Sequence, residues 1–108
     1  MSKFKRAFAP NPSPRYDQSA PLLIADEIVY VCSKPLYDDL IDHAKDYETM
    51  IINMMKDFNP QEDVIIDFGD PLIFAMMVYH VSDFDPVYVG RYNKKLGKYT
   101  IATLSGWW

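Results

Sequence analysis

Cysteine occurs once in these 108 residues, glycine four times and histidine twice. The single thiol, Cys32, excludes an intrachain disulfide, and its place in the apolar run IVYVC reads as a buried, inert side chain in a reducing compartment. Four scattered glycines cannot build a phosphate-cradling loop. Asp39 and His43 lie four apart on one helical face, which supplies at most two metal ligands, and His80 sits in an apolar run with no ligand beside it. Neither a metal nor any other cofactor is therefore expected. No long apolar run is present, and the opening MSKFKRAFAPNP has basic residues but no apolar segment after them. The expectation is a soluble, cytoplasmic protein.

What is present is apolar substance and segregated charge. Hydrophobic residues make up 49% of the chain and aromatics 15%, enough for one independent core in a single domain. The net charge of −4 hides a strong asymmetry. Residues 1–25 carry +3, residues 26–85 carry −11 with fourteen of the fifteen acids, and residues 86–108 carry +4 with no acid. Such segregation bears on partners and encounter rates and not on fold.

Four of the eight prolines lie between positions 10 and 21, which disfavours helix there, so residues 1–25 read as a basic, Pro-rich arm pinned by Phe4 and Phe8. Residues 26–108 read as a compact α+β domain. DEIVYVC (26–32) and EDVIIDFGD (62–70) have strand character. Between them, Leu36, Leu40, Ala44, Tyr47, Ile51, Met54, Met55 and Phe58 recur at helical spacing after Ser33 and Pro35, which predicts one long amphipathic helix. PLIFAMMVYHV (71–81) is apolar on every side. Asp70 and Pro71 look like a helix start, but a helix apolar all round needs full burial, so a central strand is expected. Residues 87–104 form a hairpin around Asn93–Gly97, with Pro86 keeping its first strand short or at an edge. The resulting expectation is a long helix on a mainly antiparallel sheet of four or five strands.

The segment YDDLIDHAKDYE carries the acids Asp38, Asp39, Asp42, Asp46 and Glu48. Hydrolysis by paired carboxylates needs two acids held across a cleft with their pKa values pushed apart, which acids solvated together on one helix surface do not provide. Asp38 to Asp46 would span roughly 12 Å of helix, comparable to a few phosphate steps of a DNA strand. The preferred reading is a non-enzymatic protein that binds and modulates or inhibits a macromolecular partner, most plausibly a protein with a basic groove. Accessory factors of viruses and phages, nucleic-acid mimics among them, have this character. Trp107 and Trp108 offer a second contact. A rival reading uses Arg91, Tyr92, Lys94, Lys95 and Lys98 of the hairpin to bind nucleic acid. Another is a small enzyme or ligand-binding domain with a site near Asp67, Asp70 and His80. No membrane partner is expected, and the oligomeric state stays open.

Overall fold

The computed structural model describes residues 3–12, 17, 19–32 and 43–105. Runs of β-branched, aromatic and alanine residues form five strands: β1 (Phe4–Ala9), β2 (Ala25–Tyr30), β3 (Asp63–Ile66), β4 (Val87–Asn93) and β5 (Lys98–Leu104). They lie in one sheet in the order β2-β1-β3-β4-β5. The first four run parallel, with Phe8 of β1 opposite both Val29 and Ile65, and Ile66 opposite Gly90. Only β5 is antiparallel, returning beside β4 so that Gly90 faces Ile101. Two helices complete the fold, α1 (Ala44–Met54) and α2 (Pro71–His80), with a short 3-10 segment at Ala20–Leu23.

This architecture corrects the expected one. The sheet is mixed and mostly parallel, and the helical layer is two short helices, not one long helix on an antiparallel sheet. Of the long helix expected from Ser33, Ala44–Met54 is α1, while residues 33–42 lie outside the described residues. The expected strand at 71–81 is α2. Its start is set locally, because the Asp70 carboxylate accepts from the N–H groups of Leu72 (2.9 Å) and Ile73 (3.1 Å), and Pro71 occupies the first turn. The expected arm is also revised. Phe4–Ala9 is a strand paired on both sides, and Phe8 is fully buried. Pro86 precedes β4, which is an inner strand and not an edge.

Strand alternation divides the core in two. Phe8, Ile65 and Val87 point to the face where α1 and α2 deliver Tyr47, Ile51, Ile73 and Met77. Ala7, Ala9, Val64 and Ile66 point to the other, where Phe68, Tyr99, Ala20 and Ile24 cover them. The topology explains this split. From β1 the chain moves one way along the sheet to β2, and from β2 through β3 to β4 it moves the other way. With the first connection on one face and both helices on the other, all three crossovers have the same hand, as parallel connections require.

The amino ends of the strands are clamped by charge. Asp63 is completely buried and takes both Arg6 Nη2 (2.8 Å) and Arg6 Nε (3.3 Å), while the Asn59 N–H donates to it at 2.8 Å. Arg6 also donates to the Asp57 carbonyl and lies over the Phe8 ring. The pair satisfies Asp63 fully, which a buried carboxylate needs, and the hydrogen bonds to Asp63 raise the Arg6 pKa further.

Candidate functional site: a groove between the two helices

In an open sheet of this kind the first place to look is the crevice at the carboxyl ends of the strands where the chain reverses direction. Here that lies between β1 and β3, and it is filled. Asn11 follows β1, and its Oδ1 accepts from the Asp70 N–H at 2.8 Å. Gly69, at φ +123°, passes so close that a Cβ there would stand 2.5 Å from Asn11 Oδ1. Only glycine permits both the approach and the backbone angle.

The acids proposed near this edge are engaged separately. Asp70 caps α2, and Asp67 stands 3.4 Å from Arg91 Nε. His80, although set in an apolar run, is the last residue of α2 and is exposed. Ten residues from Asp70 to His80 separate them by roughly 15 Å along the helix, so the three residues of that rival site do not converge. Cys32, two residues past the end of β2, is buried as expected. Desolvation, followed by the Asp70 charge, pushes its thiol up to about 11 and keeps it protonated. Among the described residues no three or more His, Cys, Asp or Glu side chains are placed to hold a metal ion.

A concave feature with apolar lining lies on the outer side of the helical layer. A groove of about 660 Å³ runs between α1 and α2. Ile51 and Ile52 of α1 and Ala75 and Met76 of α2 form its apolar lining, and Glu48, His80, Ser82 and Asp83 form its polar lining. Ile51 is buried by the sheet, but Ile52 is 46% exposed and Tyr79 82% exposed. The groove exists because α2 is apolar all round. Ile73 and Met77 face the sheet, Met76 is half-buried beside them, and Tyr79 is left outside.

Of the acidic residues singled out in the sequence, Glu48 lines this groove, whereas Asp46 turns toward His43 at 3.4 Å. Two residues apart, they project to different sides of α1. Asp38, Asp39, Asp42, Trp107 and Trp108 lie outside the described residues. Sequence reasoning missed Ile52, Met76, Tyr79 and Asp83. Ile52 falls off the buried stripe of α1, which was the available signal.

On the hairpin, Arg91, Tyr92, Lys94 and Lys95 border a shallow depression of about 340 Å³. Tyr92 and Tyr99 meet edge-to-face at 5.4 Å; Tyr99 is buried in the sheet core, whereas Tyr92 is half-buried and lines the depression. No helix among the described residues is long and apolar enough to cross a membrane. No family model, curated protein or solved structure matches the chain.

Proposed function

We propose that the protein acts by binding and not by catalysis, as a cytoplasmic factor that seats a basic, amphipathic segment of a partner protein between α1 and α2. The observation that carries this reading is the groove itself: apolar lining with Ile52 and Tyr79 left in solvent, and the carboxylates of Glu48 and Asp83 beside it. An exposed apolar strip with a polar border is the pattern of an interaction surface. An amphipathic helix inserts its apolar stripe into such a groove, and its flanking lysines or arginines would meet those carboxylates. The negative charge concentrated in residues 26–85 would also speed encounter with a basic partner. The partner is thereby occupied and its activity modulated.

The test uses a Leu/Lys amphipathic helical peptide as probe, an acidic Leu/Glu counterpart as control, and a single-stranded oligonucleotide as a third arm. Backbone amide shifts are recorded on the full chain. The basic peptide is expected to shift residues 48–52 and 75–83, with affinity falling as salt rises and lost in a Glu48→Lys/Asp83→Lys variant that still folds. Shifts confined to residues 91–98, or equal affinity for the acidic peptide, would overturn the reading. Oligonucleotide binding at Lys94, Lys95 and Lys98 would instead favour the hairpin.

A further inference from the structure

The two edges of the sheet are unlike. β2, at one edge, carries the exposed acids Asp26 and Glu27. Charges of this kind discourage another strand from adding. β5, at the other edge, has one charged residue, Lys98, at its start, and Tyr99 to Leu104 is uncharged, free of proline and β-branched at three positions. Thr100, Ile101, Ala102 and Thr103 are exposed.

Hydrogen-bond direction shows which groups of β5 face outward. The Gly90 carbonyl accepts from the Asp67 N–H at 2.9 Å, so the Gly90 backbone is directed at β3. Groups alternate along a strand, so Val89 and Arg91 are directed at β5, where Ala102 and Thr100 stand opposite them. Ile101 and Thr103 therefore turn their N–H and C=O groups away from β4, toward the open side of this edge strand.

From this we infer that β5 is a self-association edge, and that its occupant is β5 of a second copy of the chain. The copies pair antiparallel about a two-fold axis at Ala102, giving one sheet that runs through both. Ile101 then exchanges backbone hydrogen bonds with Thr103 of the second copy, and Thr103 with its Ile101. Side-chain neighbours are Ala102 with Ala102, Ile101 with Thr103 and Thr100 with Leu104, so no like charges meet. The two Lys98 residues are held apart at opposite ends, roughly 27 Å from one another. The same surface is used on both copies, so the contact closes on itself. The acid-bearing β2 edge of each copy ends the assembly there.

Sedimentation velocity of the full chain over a wide concentration range, with circular dichroism to confirm folding, is the first measurement. A monomer–dimer equilibrium with no larger species is expected. Ala102→Lys places like charges directly across the axis on an exposed position and should leave a folded monomer. Thr103→Pro removes only an outward N–H and should do the same. Mild oxidation of Ala102→Cys should trap a disulfide dimer, because opposed residues on the axis bring their Cβ atoms within bonding reach, whereas Thr100→Cys on the same face should not. A wild-type chain monomeric at millimolar concentration, a dimer unaffected by Ala102→Lys, or faster cross-linking through Thr100→Cys would each overturn the inference.

Discussion

The two helices lie side by side on the same face of the sheet, yet they are made in opposite ways. α1 is amphipathic: Tyr47 and Ile51 go inward, while Lys45, Asp46, Glu48 and Thr49 take the outside. Its N-cap position is His43, whose imidazole stands beside Asp46 and does not cap the helix. Apolar pattern alone therefore locates α1. α2 has almost no polar side. Its first turn is fixed by Asp70 and Pro71, and its apolar surplus is left in solvent at Leu72 and Tyr79. A helix defined by its cap can carry exposed apolar residues that a pattern-defined helix would have to give up. The surplus on α2 is what makes the groove.

The comparison breaks if the inward residues of the two helices differ in energetic weight. Ile51→Ala in α1 and Met77→Ala in α2 remove side chains that are both about fully buried, and each should cost about 2–5 kcal/mol in urea unfolding. Loss from only one of them would show that one helix is an appendage.

Cys32 belongs to the buried cluster that the inward residues of both helices join, and it sharpens the contrast through pH. Its thiol is raised in the folded chain, from 9.0 to about 11. Between those values the unfolded thiol has lost its proton and the folded one has kept it, so the native state binds more protons and stability falls as pH rises. The expected loss is on the order of 2–3 kcal/mol between pH 9 and 11, absent from Cys32→Ala. Equal slopes in the two proteins would refute it. At pH 8, iodoacetamide should label Cys32 slowly in the native chain and rapidly in denaturant.

At the helix starts the asymmetry should be visible directly. Asp70→Ala should destabilise by about 1 kcal/mol, whereas His43→Ala should stay within about 0.5 kcal/mol. Comparable losses would mean that α1 is also held by its first turn. Smallest of all, Tyr79→Ser and Ile52→Ser should change stability by no more than about 0.5 kcal/mol while removing binding of the basic peptide. A stability loss without a binding loss would assign these residues to packing.

What the sequence made legible follows the same division. The hairpin was readable because its strands alternate and Gly97 supplies the left-handed turn, at φ +65°. β3 and the buried Cys32 were readable from short apolar runs. α2 was missed because an apolar run carries no periodicity, and the assumption that such a helix must be wholly buried outweighed the Asp-Pro start that in fact decides it. The parallel order was illegible for a different reason. No tight turn joins β1 to its neighbours, and the Arg6–Asp63 clamp joins residues 57 positions apart. Nothing local announces such a contact. The acids were legible as a charge and not as a surface, since projection from the helix splits Asp46 from Glu48.

Among the five described strands β1 comes first in the chain, and it lies between two that come later, β2 and β3. Its inner flank stays unfilled until residues 63–66 have emerged, and the Arg6 guanidinium waits for the same carboxylate. During translation the amino-terminal half thus holds a strand with open hydrogen-bonding positions. Assembly of the sheet is tied to pairings distant in sequence, a topology that slows folding and lengthens exposure to aggregation. A ribosome-stalled chain released before Asp63 should be protease-sensitive from its first residues onward, and one released after Ile66 should begin to resist.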